Sequence, residues 1–128
     1  MTKQKIHSEQ APQAIGTYSQ AIRSGNTVYL SGQIPLDPQT MTLAAKDFAA
    51  QAAQVFKNLQ EVCKAAGGNV DDIVKLTIYL TNLTHFSIVN ETMKEYFNEP
   101  YPARSTIEIS ALPKAALIEI DAIMVLNL

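Results

Sequence analysis

Two charged side chains sit where chemistry could use them. Arg104 follows Tyr101-Pro102-Ala103 at the start of a strand-like segment. Its guanidinium offers a planar fork that matches a carboxylate through two parallel hydrogen bonds. Glu119 lies between Ile118 and Ile120; a carboxylate in such company, partly desolvated at an interface, is suited to general acid or base work. On spacing alone each has an ordinary alternative: Arg104 as the salt-bridge partner of Glu108 or Asp121, Glu119 as a solvated strand-face charge.

Three more positions bear on ligand approach. Tyr18 lies in the loop Ile15-Gly16-Thr17-Tyr18-Ser19, and Ser31-Gly32 ends a strand, where the missing Cβ would let backbone donors come close to a ligand. On sequence alone Gly32 reads more readily as a turn glycine. Asn90 falls on the apolar side of a helical segment, between Phe86 and Met93, where a buried amide needs a partner. Loop backbone is expected to supply it, which makes Asn90 structural.

Other signals point away from chemistry. Cys63 lies on an apolar helical stripe and reads as an inert buried thiol. His7 and His85 lack metal-ligand spacing and read as surface residues. No phosphate-binding loop, GxSxG, HExxH or dinucleotide fingerprint occurs. With 47 % hydrophobic and 17 % charged residues and a net charge of -2, the 128-residue chain has the composition of one globular domain, 1–128, without the basic face nucleic acid favours. A single cysteine excludes an intrachain disulfide. No signal-peptide-like or membrane-spanning stretch is read, so a cytoplasmic location is expected.

The elements that must position these residues follow from periodicity. Short strand-like pieces lie around Lys5-Ile6-His7, over 19–23 and over 27–31, with Ser24-Gly25-Asn26 as a tight hairpin turn. From 45 to 66, Phe48, Ala52, Val55, Phe56, Leu59, Val62, Cys63 and Ala66 recur at helical spacing, and Gly67-Gly68 supplies the stop. Residues 73–81 alternate, with Val74, Leu76, Ile78 and Leu80 on one face. A second helix spans 84–98, capped by Thr84 and ended by Pro100 and Pro102. Segments 103–111 and 117–126 read as a terminal hairpin. The sum is an α+β sandwich: a mixed sheet with two helices on one face.

Two helices leave the other sheet face bare. Alternation assigns to it Ile73, Tyr79, Leu117, Ile123 and Val125, mixed with Lys75, Thr77, Arg104, Glu108, Glu119 and Asp121. So many large apolar groups predict burial against copies of the same chain. In the terminal hairpin, parity sets Glu108 across from Glu119, so Arg104 lies about 13 Å further along the sheet. A site using both therefore needs two subunits.

Taken together, Gly16-Thr17-Tyr18-Ser19-Gln20-Ala21, Leu30-Ser31-Gly32-Gln33-Ile34-Pro35, Ala65-Ala66-Gly67, Val89-Asn90, Pro102-Ala103-Arg104-Ser105 and Ile118-Glu119-Ile120 resemble the Rid (reactive intermediate deaminase, YjgF) family over essentially the whole chain. The resemblance implies a chorismate-mutase-like fold and a homotrimer with a central barrel and three intersubunit clefts. It implies hydrolysis of 2-aminoacrylate and 2-iminobutanoate to 2-oxo acids and ammonia, without cofactor or metal. Arg104 would bind the carboxylate and Glu119 would activate water. Tyr18, Ser31, Gly32, Asn90 and Thr106 would shape the pocket. Thr17 stands where proline is usual and Thr106 where many members carry cysteine. A non-catalytic small-acid binding or chaperone-like trimer and, from other relatives, single-strand ribonuclease or translation-inhibitor activity are the alternatives; neither nucleic acid nor membrane is expected as a partner.

Overall fold

The computed structural model describes residues 2–127. Strands β1 (Gln4–Ile6), β2 (Ala21–Ser24) and β3 (Thr27–Gln33) precede helix α1 (Phe48–Ala65). Strand β4 (Ile73–Leu80), helix α2 (Phe86–Tyr96), β5 (Ala103–Glu108) and β6 (Ile118–Val125) complete the chain. One six-stranded sheet runs in the order β1-β2-β3-β6-β4-β5. Only the β4–β5 pair is parallel; the other four pairs are antiparallel. The α+β architecture with a mixed sheet and two helices is the expected one.

Local sequence explains the element ends. Asp47 caps α1 by accepting from the backbone N–H of Ala50. Gly67, at φ +94°, takes the left-handed conformation just beyond its C-terminus. The β2–β3 turn closes over Gly25 and Asn26, as expected, with Gly25 at φ +62° and Ser24 paired to Thr27. At the second helix the expectation needs correcting. Asn82, not Thr84, accepts from the Thr84 N–H to open a short 3-10 turn, and α2 begins only at Phe86.

The core lies between the helices and one sheet face. Ala52, Val55, Phe56, Leu59 and Val62 of α1 and Val89 and Met93 of α2 pack on Leu76, Ile78, Leu80, Ile118, Ile120 and Met124. Cys63 sits in this core, and burial, with Asp72 adding to it, pushes its thiol up to about 12. That thiol is inert, as read from the stripe.

Two sheet readings are overturned. The terminal segments do not form a hairpin: β4 lies between β5 and β6, with Arg104 beside Leu76 and Glu119 beside Tyr79. β5 therefore forms a β-α-β unit with β4 rather than turning back on β6. Second, the face assignment is wrong for several residues. The β4–β6 register shifts between Ile73 and Lys75, so Ile73 is buried in the core and Val74 is exposed. Arg104 and Glu108, which neighbour the inward Leu76 and Leu80, lie on the helix-bearing face. Leu117 precedes β6 and packs partly against the core. The uncovered face carries Tyr79, Glu119, Asp121, Ile123 and exposed Val125 as expected, and exposed Tyr29 and Ile107 besides.

Candidate active site

Arg104 stands on the edge strand, on the helix-bearing face, against α2. Its Nη1 donates to Asn90 Oδ1 at 2.6 Å and lies 3.3 Å from Met93 Sδ. Its guanidinium carbon stands 4.9 Å from the centre of the Phe86 ring. Among the described residues it makes no ion pair. The two acids considered as its partners are engaged elsewhere: Glu108 accepts from the Leu83 N–H, and Asp121 from the Tyr79 hydroxyl. Asn90 is thus partnered by Arg104 and not by loop backbone. A cleft of about 580 Å³ opens here, lined by Asn90, Glu91, Met93, Lys94, Tyr101, Pro102 and Arg104. Thr106 is two residues along on the same face, and its hydroxyl is buried without a partner among the described residues.

Glu119 stands on the other face. The β3–β6 register shifts between Leu30 and Gln33, which places Ser31 and Gly32 in an irregular stretch. There the bare Gly32 backbone lies directly against the Glu119 side chain; a Cβ would come within 2.5 Å of Glu119 Oε2. The sequence leaves Gly32 as a turn glycine or a place for ligand approach; the structure gives it another use, making room for the carboxylate. Burial, and secondarily the charge of Asp121, push the Glu119 carboxyl above its usual range. Its carboxylate accepts no hydrogen bond from the described residues.

Around Glu119 lies a second cleft of about 500 Å³, to which Tyr18, Gly32, Ile34, Met41 and Lys114 contribute. Tyr18 is exposed and held by its loop. That loop is anchored by Ser31, whose hydroxyl donates to Ser19 O at 2.6 Å, and by Gln20, whose amide bonds to Ser8, Ala11 and Pro12. Ser31 therefore supports the pocket wall from behind.

The seven residues singled out from sequence fall into two groups. Arg104, Asn90 and Thr106 share the helix side; Glu119, Gly32, Tyr18 and Ser31 share the uncovered side. The two clefts have no lining residue in common. One chain does not unite Arg104 with Glu119, though the reason is opposite sheet faces with β4 between them, not distance along a hairpin. Sequence reading missed Phe86 and Met93 as neighbours of Arg104, having counted both as helix core. The signal was present: Phe86, Asn90 and Met93 follow i, i+4, i+7 on α2.

His7 pairs with exposed Glu9, whereas His85 is half-buried, stacked on Phe48 with ring centres 4.1 Å apart, which corrects its reading as a surface residue. Neither lines either cleft. No three His, Cys, Asp or Glu side chains converge on a metal-sized site among the described residues. No helix among them is long and apolar enough to cross a membrane.

An α+β domain that presents an unpaired guanidinium on one face and a desolvated carboxylate on the other is the architecture these observations define. The chain belongs to the family described as Endoribonuclease L-PSP, which matches over residues 8–126, the same family as Rid and YjgF. It is 44 % identical to a 2-iminobutanoate/2-iminopropanoate deaminase from Dermatophagoides farinae, over 98 % of each chain. RidA from the Antarctic bacterium Psychrobacter sp. superposes with a TM-score of 0.93 at 48 % identity, over 96 % of this chain and 99 % of that one. E. coli TdcF, solved with bound serine, superposes at 0.89 with 38 % identity, over 97 % and 99 %.

Proposed function

We propose that this protein hydrolyses reactive enamine and imine acids, among them 2-aminoacrylate and 2-iminobutanoate, to 2-oxo acids and ammonia. Its site would form where the Arg104 cleft of one copy meets the Glu119 cleft of the next, in a homotrimer. The carrying observation is Arg104: a half-buried guanidinium held by neutral groups, with no ion-pair partner among the described residues and a cleft in front of it. A small carboxylate is the natural counter-ion for that fork. The deaminase names of relatives and the serine bound to TdcF support the same chemistry.

Arg104 would fix the substrate carboxylate, which sets C2 near Glu119. An enamine first takes a proton from solvent at C3 and loses one from nitrogen to become the imine. Glu119 takes a proton from a water as its oxygen bonds to C2. Glu119 returns that proton to nitrogen, giving the carbinolamine; the new C2 hydroxyl then gives its proton, by way of Glu119, to nitrogen as the C–N bond breaks, so ammonia leaves and the 2-oxo acid remains. A carboxyl with a raised pKa is the stronger base for this work. Imines hydrolyse in water unaided, so orientation and a proton relay suffice.

The test couples the protein to a threonine dehydratase and follows 2-oxobutanoate release. Acceleration is expected with the native chain and none with Arg104→Ala; equal rates refute the assignment. The family description favours one other reading, an endoribonuclease. Single-stranded RNA incubated with highly purified protein is expected to stay intact, and cleavage that Arg104→Ala abolishes is the result that supports the nuclease instead.

A further inference from the structure

Arg104 has five N–H donors in a rigid fork, and α2 occupies one side of it. Both contacts of Nη1, Asn90 Oδ1 and Met93 Sδ, come from that helix. Phe86, one turn earlier, stands against the guanidinium face. Phe86, Asn90 and Met93 thus form a single stripe over three successive turns, and the stripe cradles one cation. Nε and Nη2 donate to nothing among the described residues.

Phe86 is the informative member. It is 39 % exposed and takes no part in the core cluster. Its ring stacks on no other ring among the described residues. A large apolar side chain at the start of a helix, outside the core, therefore has the guanidinium as its ring partner. The 3-10 turn that leads into α2 is tied to the end of β5, because Glu108 accepts from Leu83 N at 2.9 Å. That bond holds the entry to α2 against the strand that carries Arg104.

We infer that Phe86 and Met93 are positioning residues that lock the rotation of the Arg104 guanidinium, so that its Nε–Nη2 edge alone is presented to the substrate carboxylate. The inference rests on the carboxylate-binding role proposed above. Nη1 is held on the helix, the ring blocks one face, and the free edge offers two parallel N–H groups for side-on capture. A fork locked before binding loses less freedom on binding, so the gain falls on substrate affinity.

Nitrogen-15 spectra of the arginine side chains, combined with steady-state kinetics on 2-iminobutanoate, test this. In the native protein the Arg104 Nη1 and Nη2 signals are expected to be separate, reporting slow rotation about the Nε–Cζ bond. Phe86→Leu keeps an apolar cover but removes the ring. It is expected to merge the two signals and raise KM about fivefold, with kcat within about twofold. Phe86→Tyr restores both readouts, and Met93→Leu gives a smaller rise in KM. Phe86→Leu matching the native protein in rotation and KM overturns the inference, as does a parallel fall in kcat, KM and Tm that Phe86→Tyr fails to rescue. Absence of turnover in the native protein overturns the deaminase reading, and the spectra still decide whether Phe86 and Met93 hold the guanidinium.

Discussion

The two clefts hold opposite charges by opposite means. At the helix edge a cation is kept in place by groups without charge: an amide oxygen, a sulfur and an aromatic face. On the uncovered face an anion occupies space left by a glycine, loses water to burial, and lies near a second anion, Asp121. Neither charge has an ion-pair partner among the described residues. A buried salt bridge within the chain would have consumed both. Kept apart on two faces, each stays available to a ligand or to another copy of the chain. An intersubunit site would bring both onto one small molecule.

The sharpest way to break this comparison is to separate the two charges genetically. Arg104→Ala and Glu119→Gln are each expected to be inactive. Co-refolded together, they should regain about one quarter of native activity, because in a symmetric ring one site in four draws an intact residue from each type. No recovery places both residues on the same copy and ends the intersubunit reading.

Glu119→Gln on its own sharpens the electrostatic half. We expect kcat to fall about 10²- to 10³-fold, while Tm at pH 7 rises. The folded state holds the Glu119 proton more readily than the unfolded chain, so ionised Glu119 weakens the fold once pH exceeds the ordinary value of 4.5. Melting curves should show the variant's advantage shrinking as pH falls towards 4.5. In the native protein kcat/KM should decline on the acid side as Glu119 takes up its proton. A variant that melts lower at pH 7 contradicts the desolvated carboxylate.

Gly32→Ala probes the same cleft without touching a charge. Its Cβ displaces the Glu119 carboxylate, so kcat should drop about tenfold or more while Tm moves little, since the obstacle is a side-chain end and not backbone. On the helix side, Asn90→Ala removes the Nη1 acceptor. KM is expected to rise about tenfold, the scale of a lost charge-assisted hydrogen bond.

The smallest effect is at Thr106. Its buried, unpartnered hydroxyl weakens the isolated fold, so Thr106→Val should stabilise by about 1 kcal/mol, readable as a rise of about 3 °C in Tm. A simultaneous loss of turnover would mark the hydroxyl as serving the site.

How far the sequence could be read varied with how local each feature was. The α1 stripe, its glycine stop and the β2–β3 turn depend on neighbours within a few residues, and they stand as read. Arg104 and Glu119 were legible by residue type and flanking pattern. The face of Glu119 was legible as well; that of Arg104 was not. One extra residue between Ile73 and Lys75 reverses strand parity, sending Ile73 inward and Val74 out. On β5 the sequence reading sets Arg104 on the bare face, yet this strand turns Ile107 to the uncovered face and Arg104 to the helix. Alternation tells which residues share a face, and cannot tell which face meets the core when both carry apolar groups.

By itself the sequence determined the element types, the core stripes, the residues able to do acid–base and carboxylate chemistry, and the family to which they point. Only the tertiary structure decided that β4 separates β5 from β6, that Gly32 makes room for Glu119, and that Phe86, Asn90 and Met93 cradle Arg104. The physical reason is range. Propensity and periodicity act over a few residues, whereas strand order and facing arise from burying surfaces far apart in the chain, where one bulge or one crossover changes every neighbour at once.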